Sequence, residues 1–302
     1  MVIADEEAWQ RRGMQALFSL LREDVPLRVV VLTGLALELP DPGLAAVVQR
    51  RAFVAQTSVA YPKHLLTTLE AAFTCSGSAW VRLHAPSPSS HGFPSDRTFE
   101  RAAGAVRSRA LPLYRFDPTR AGVFGSRLDL DDNPDVQEAW SSHNESLYTF
   151  ADWAVGEERF ASHFQPLSDS DSAPMPLADW LQVSAADRIG KTVFVESCID
   201  PGASKRLRVD SHMLDATLER ADIWRTLREL AGVVTPFTQR IREEADREAV
   251  ELYEKEKKAI ESRHQAQLSA LRGDVEEQLV QRLENRLAVL AGYEELLTGG
   301  EV

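Results

Sequence analysis

The chain has 302 residues, of which 44% are hydrophobic and 26% are charged, as in a globular protein of one or two domains. Its 34 Lys and Arg against 46 Asp and Glu give a net charge of −12, and no segregated basic patch suits it to nucleic acid. Two cysteines are too few for a disulfide framework, and no apolar run approaches the ~18 residues of a membrane span. The sequence therefore predicts a soluble, cytoplasmic protein.

The first part of the chain, up to about residue 116, alternates strand-like and helical segments. Short apolar runs rich in β-branched or aromatic residues predict strands at residues 27–32, 53–56, 78–85 and 112–116. Helical spacing predicts helices between them, at residues 8–22, 42–51, 62–73 and 97–110. Residues 1–4 have the pattern of the end of a buried strand. Strands separated by such helices form βαβ units, so we expect an α/β fold around a mostly parallel sheet.

The middle of the chain, about residues 117–200, is weakly periodic, and we expect it to be irregular. It holds Trp140, Trp153 and Trp180, which we expect to be buried and to fix loops against a neighbouring surface. The Ser-, Asp- and Pro-rich stretch at 166–176 predicts an exposed loop, and KTVFVESCI at 191–199 predicts one strand.

The last part is helical from about Asp210. After a first helix that ends near Gly232, the stretch 239–291 has no proline and would span ~80 Å if unbroken. Its second half carries one apolar stripe suited to a coiled coil or a helical hairpin bent near Gly273. The stripe consists of Leu268, Leu271, Val275, Leu279, Leu283, Leu287 and Leu290.

Motifs for metals and nucleotides are incomplete. The GKT at 190–192 lacks the first glycine of a phosphate-binding loop, and the stretch 129–140 lacks the glycine and the final glutamate of a calcium loop. The seven histidines show no H-x-x-x-H pairing, so we expect no metal site. The single candidate catalytic residue is His91, because its loop directly follows the strand at 78–85, where ligands bind in open α/β sheets.

Three segments together carry a family resemblance. They contain Phe53-Val54-Ala55-Gln56, then Ala85-Pro86 through His91-Gly92, and then Leu113 through Pro118 in LYRFDP. In their order and spacing they resemble the C-terminal thiamine-diphosphate-binding domain of the pyruvate:ferredoxin (flavodoxin) oxidoreductases, in the 2-oxoacid oxidoreductase family. The resemblance extends over residues 5–135 and implies the fold of that domain.

The resemblance also places the family's cofactor site on this sequence. That family holds Mg²⁺ and thiamine diphosphate with a Gly-Asp-Gly turn and with an Asn-containing stretch after the next strand. Here Asp5, Glu6 and Glu7 stand at the turn, and the second stretch begins at Thr33 without the Asn. Carboxylates in place of glycines repel a diphosphate, and too few oxygen ligands remain for Mg²⁺. We expect these four positions to be vestigial, with no cofactor or metal bound by this chain.

Three functions remain open on this sequence. The first is an accessory or non-catalytic subunit, or the C-terminal portion, of a 2-oxoacid:ferredoxin oxidoreductase-like complex whose other chains are its partners and carry any iron–sulfur clusters. The second is the working half of a thiamine-dependent enzyme that a partner chain completes. The third is a structural coiled-coil protein that self-associates through its helical tail. Oxidoreductase activity is expected only within a complex, and neither nucleic acid nor a membrane is an expected partner.

These patterns divide the chain into three regions. Residues 1–135 form the degenerate thiamine-diphosphate-type α/β domain, and residues 136–209 form an irregular connection with Trp-rich loops. Residues 210–302 form the helical extension.

Overall fold

The computed structural model describes residues 1–6, 14–23, 25–37, 42–143, 146–168, 171–200 and 203–290. The chain forms two compact units that divide between Thr235 and Pro236. The predicted region boundaries at 135/136 and 209/210 both lie inside the first unit, and they stay predictions about how the sequence is organised.

The first unit is built on a six-stranded sheet with the strand order β1-β2-β4-β3-β5-β6. Its strands are β1 (Val2–Asp5), β2 (Arg28–Thr33), β3 (Phe53–Ser58), β4 (Ala79–His84), β5 (Tyr114–Phe116) and β6 (Leu128–Asp129). The pairs among β1, β2, β4 and β3 are parallel, while β5 and β6 join in antiparallel pairing. The predicted mostly parallel sheet is therefore confirmed.

Helices lie between these strands along the chain. They are α1 (Met14–Arg22), α2 (Pro42–Gln49), α3 (Pro62–Thr74), the short α4 (Pro88–His91) and α5 (Thr98–Arg107). Every residue of β3 is buried, so its sequence, FVAQTS, does not alternate between apolar and polar residues. Strand β1 differs from the prediction, since it lies at the sheet edge and leaves Ile3 60% exposed.

The middle region is more regular than its sequence predicts. It contains the hairpin β7 (Ser141–His143) and β8 (Ser146–Tyr148), the helices α6 (Phe150–Ala154) and α7 (Leu177–Gln182), and the strands β9 (Phe164–Pro166), β10 (Pro174–Pro176), β11 (Thr192–Asp200) and β12 (Ala203–Val209). The last four strands form a second sheet in the order β10-β11-β12-β9. The strand predicted at 191–199 is β11. The other three carry no apolar run, because β9 and β10 have three residues each and β12 is rich in Lys and Arg. Trp140, Trp153 and Trp180 are buried as predicted.

The helix α8 (Ser211–Leu230) completes the first unit. Its Arg220 donates to the Ala36 carbonyl at 3.0 Å, just beyond β2. Its Trp224 is fully buried, donates to the Glu138 carbonyl at 2.8 Å, and stacks under the buried Arg109 guanidinium at 4.3 Å. This helix therefore packs on the main sheet domain and belongs to it, although its sequence pattern groups it with the tail.

The second unit contains α9 (Pro236–Leu290), one continuous helix of 55 residues. The predicted bend at Gly273 is wrong, because a glycine costs a helix only about 1 kcal/mol and the long run on either side absorbs that cost. All seven stripe residues are exposed on this helix. Within the described part of the chain, no helix is long and apolar enough to cross a bilayer.

The hydrophobic clusters of the described chain predict that the first unit folds without α9. Their members extend no further along the chain than Val233. We expect a chain cut after Thr235 to unfold cooperatively, with a Tm within about 4 °C of the full chain, since that shift corresponds to roughly 1 kcal/mol. A cut after Val209, which removes the buried Trp224, should abolish the transition. Calorimetry of both truncations tests this, and an unfolded 1–235 fragment would contradict it.

Candidate functional site

Polar side chains collect at the carboxyl ends of the parallel strands. The pairing of Asp5 with Leu32 places Glu6, the next residue, beside Thr33. Thr33 in turn pairs in register with His84, at the end of β4. Since ligands of open α/β sheets bind beyond this edge, these residues are the candidate site.

The centre of the candidate site is a buried ion pair between Glu6 and Arg82. Arg82 Nε lies 2.7 Å from Glu6 Oε1, and Arg82 Nη2 lies 3.0 Å from Oε2. The Thr33 hydroxyl also donates to Oε2. Glu6 is 3% exposed and Arg82 is 6% exposed. The guanidinium therefore holds both carboxylate oxygens in a bidentate, charge-assisted pair away from water.

The ion pair continues into a chain of hydrogen bonds across the sheet. Arg82 Nη1 donates to Gln56 Oε1 at 2.8 Å, and the Gln56 amide donates to the Pro112 carbonyl at 2.8 Å. Gln56 and Arg82 are register partners on adjacent strands, so the pairing of β3 with β4 aligns them. Beside Arg220, the same residues line a cavity of about 10 Å³, enough for about one water molecule.

A neutral histidine, His84, is buried beside this pair. Its Nδ1 lies 3.1 Å from the Thr33 carbonyl oxygen, which can only accept, so Nδ1 carries the proton. The other nitrogen, Nε2, is buried without a hydrogen-bond partner among the described residues. Burial lowers the pKa of His84 to about 3, with the Thr33 carbonyl opposing the shift and His91, Arg159 and Arg82 adding to it. His84 is therefore uncharged at neutral pH.

His91, the sequence candidate, lies on the same edge but takes no part in the ion pair. It ends α4, it is buried, and its ring centroid is 6.3 Å from that of His84. Its Nδ1 is 2.9 Å from the Ser87 carbonyl oxygen, and its buried Nε2 is unpaired within the described chain. Gly92 fixes this turn at φ +69°, where an added Cβ would lie 2.4 Å from the Glu158 side chain. The loop therefore tolerates only glycine after His91.

A second buried ion cluster covers the edge. The Glu157 carboxylate lies 2.6 Å from Arg159 Nη2 and 3.6 Å from Arg101 Nη2. Arg159 also donates to the Gly34 carbonyl beyond β2, and burial lowers its pKa while Glu157 raises it. Arg101 stacks over Trp153 at 5.2 Å. These contacts attach the middle region to the carboxyl ends of the strands and close that edge to solvent.

The structure brings together only some of the positions predicted from sequence. Glu6 and Thr33 meet, whereas Asp5 lies exposed at the end of β1 and Glu7 lies outside the described residues. The sequence prediction missed Arg82, Gln56 and His84. Their signal was present in the runs FVAQTS and AWVRLH, because a charged or amide side chain inside a fully buried strand requires a buried partner. Within the described ranges, no group of three or more His, Cys, Asp or Glu could hold a metal ion.

The ion pair predicts a large loss of stability when one partner is removed. We expect Arg82→Met to lower the free energy of unfolding by about 3–5 kcal/mol, because it leaves the Glu6 carboxylate buried and unpaired. The double variant Glu6→Gln/Arg82→Met should recover part of that loss. The control Arg206→Ala breaks an exposed pair, whose side chains are 62% and 56% exposed, and should cost less than about 1 kcal/mol. Urea unfolding at pH 7 measures all three, and equal costs for the two single variants would contradict the prediction.

Two buried histidines predict acid sensitivity. The pKa of His84 is lowered by burial to about 3, and that of His64 to about 4, mainly by burial and then by Arg115. Below about pH 6.5 these histidines bind protons in the unfolded chain but stay neutral in the native one. The free energy of unfolding therefore decreases as the pH falls towards 4. Each histidine contributes up to about 1.4 kcal/mol per pH unit to the slope of the free energy of unfolding against pH. Chemical denaturation from pH 7 to 4.5 should show a shallower slope in His84→Gln and in His64→Gln, and an unchanged slope in both would refute this.

The comparisons with known proteins give a partial similarity. No protein-family profile matches the chain. Over 71 residues the chain is 34% identical to the ketoisovalerate oxidoreductase subunit VorB of Pyrococcus abyssi and 31% identical to that of Pyrococcus furiosus. Each match covers 24% of this chain, which spans 23% of the length of each of these curated relatives. Part of the chain is therefore similar to a 2-oxoacid oxidoreductase subunit, in agreement with the family that its three sequence segments resemble.

Proposed function

We propose that this chain is an accessory, non-catalytic subunit, or the C-terminal portion of a subunit, in a 2-oxoacid:ferredoxin oxidoreductase-like complex. The partial similarity to the VorB subunits supports the link to such a complex. The non-catalytic role rests on one observation, the bidentate pairing of Glu6 with Arg82. In this proposal the other chains hold thiamine diphosphate, Mg²⁺ and any iron–sulfur clusters.

The donor set around Glu6 suits a Mg²⁺–diphosphate poorly. Mg²⁺ requires about six oxygen ligands in octahedral geometry, usually with one or two carboxylates. Here Oε2 of Glu6 already accepts from Arg82 and Thr33, and Oε1 lies 2.7 Å from Arg82 Nε. The guanidinium of Arg82 would also repel a divalent cation at this position. Arg82 thus supplies from within the chain the positive charge that a metal would otherwise provide.

The covering of the edge supports the same conclusion. Arg159, Trp153 and Arg220 reach over the carboxyl ends of the strands and bond to backbone or stack there. The cavity that remains beside Arg82 holds about 10 Å³, far below the several hundred Å³ of an ordinary ligand pocket. Such an edge stabilises the fold of the subunit without admitting a substrate. His84 and His91 are then structural residues of the closed edge.

A structural role for α9 is the second candidate function. Each residue of its apolar stripe, from Leu268 to Leu290, is more than half exposed. A surface helix usually buries such a stripe, so the stripe favours attachment of the chain through its tail. This role is compatible with the accessory one, and the experiment below separates them.

Native co-purification of the full chain and of the 1–235 fragment tests both candidates. We expect both forms to bring down a brown complex that contains iron and thiamine diphosphate, because the first unit makes the interface. Recovery by the full chain alone would assign attachment to α9. A colourless, purely self-associated chain would overturn the proposed membership of the complex.

The variant Glu6→Gln then tests the non-catalytic role within the recovered complex. It keeps the size of the side chain, and circular dichroism checks that the chain is folded. We expect the thiamine diphosphate content and the oxidoreductase activity per complex to stay within about twofold of the wild type, since no metal ligand is removed. A loss of the cofactor of tenfold or more in Glu6→Gln, with the complex intact, would instead establish the chain as a working catalytic half.

A further inference from the structure

The main sheet has a second concave surface at its opposite edge, where the parallel strands begin. Two adjoining clefts of about 220 and 230 Å³ lie there and share Phe53 and Asp117 as lining residues. We call the first of them the amino-edge cleft. It is lined by Arg50, Arg51, Phe53, the turn Cys75–Ser78, and Asp117, Pro118 and Thr119. It is at the other end of the strands from Glu6 and Arg82, so it is independent of the site described above.

One wall of the amino-edge cleft is the turn Cys75–Ser78, whose orientation Arg28 fixes. Arg28 donates to the carbonyl of Gly77 at 2.6 Å and to the carbonyl of Cys75. In a trans peptide the N–H points opposite to the C=O, so the N–H groups of Ser76 and Ser78 point away from Arg28. Neither N–H has an acceptor among the described residues. Ser76 is exposed and Ser78 is buried, so the Ser76 N–H is the donor of this turn that a ligand can reach.

Two arginines, Arg50 and Arg51, also line the cleft. Arg50 and Arg51 are exposed, and neither has an ion-pair partner or a side-chain hydrogen bond within the described chain. Arg50 has φ +61°, a strained conformation for a residue with a side chain, at the junction of α2 and β3. The carboxylate in the lining, Asp117, already accepts from the backbone and the hydroxyl of Thr119 at 2.9 and 2.6 Å. The cleft is therefore locally positive in a chain whose net charge is −12.

We propose that the amino-edge cleft binds the phosphate group of a small metabolite. Phosphate oxygens accept from guanidinium forks and from oriented backbone N–H groups, and Arg50, Arg51 and the turn at 76–78 provide both. A cleft of about 220 Å³ holds a phosphate group together with a small attached moiety. This inference does not depend on the proposed function, because the cleft lies at the start of the strands and Glu6 and Arg82 lie towards their carboxyl ends.

Isothermal titration calorimetry of the full chain at low ionic strength tests the proposal. The probes are inorganic phosphate, pyrophosphate and, as a dicarboxylate without phosphorus, succinate. We expect saturable binding of pyrophosphate that weakens with added NaCl. The variant Arg50→Gln/Arg51→Gln should lower the affinity by about tenfold or more, since each lost contact is charge-assisted. The matched control Arg247→Gln/Arg263→Gln removes two exposed arginines from α9 and should change the affinity by less than about twofold.

The outcomes separate the proposal from its alternatives. An equal loss in the two double variants would show a general charge effect and overturn the site. Equal binding of succinate and pyrophosphate would overturn the assignment to phosphate. Pyrophosphate binding that survives Arg50→Gln/Arg51→Gln but changes in Glu6→Gln would place the ligand at the carboxyl edge, and the proposal would then be wrong.

Discussion

The burial of one carboxylate constrains the main sheet of this protein. Glu6 follows the edge strand β1, and its charge could not remain in the interior without a partner, because an isolated buried carboxylate costs many kcal/mol. Arg82 on β4 is that partner. Gln56 on β3 accepts a hydrogen bond from Arg82 and donates one to the Pro112 carbonyl. A slip of β4 by one residue would turn Arg82 to the other face of the sheet. The ion pair therefore fixes the register of three parallel strands as well as neutralising a charge.

The same solution recurs where the middle region meets the sheet. Glu157 is buried between Arg101 and Arg159, and the two guanidiniums stack on Trp153 and Phe160. Each cluster pairs a buried carboxylate with arginine, and arginine's planar fork loses little entropy in such a pair. Together the clusters fill the region that a ligand occupies in many open α/β folds. In the proposed accessory subunit, the carboxyl edge therefore has a structural role, which is to attach the middle region to the main sheet.

The sequence was informative where burial leaves a pattern in consecutive residues. The parallel strands could be predicted because strands buried on both faces are apolar runs, and Glu6 and Thr33 could be singled out through the family resemblance. The partner of Glu6 could not be predicted, since Arg82 lies 76 residues further along the chain and local periodicity does not connect the two residues. Strand β12 was missed because its sequence, ASKRLRV, is half polar. The bend at Gly273 was wrong because one glycine does not outweigh a helix of 55 residues.

The two ends of the main sheet differ in their charge balance. At the carboxyl end the charges of Glu6 and Arg82 cancel within the chain, and little space remains beside them. At the amino end Arg50 and Arg51 have no carboxylate partner among the described residues, and a cleft of about 220 Å³ lies beside them. An open cleft with unpaired cations gains free energy from an anion, whereas a closed ion pair would have to be broken first. Fold analogy alone directs attention to the carboxyl end, but the charge distribution of this chain favours ligand binding at the other.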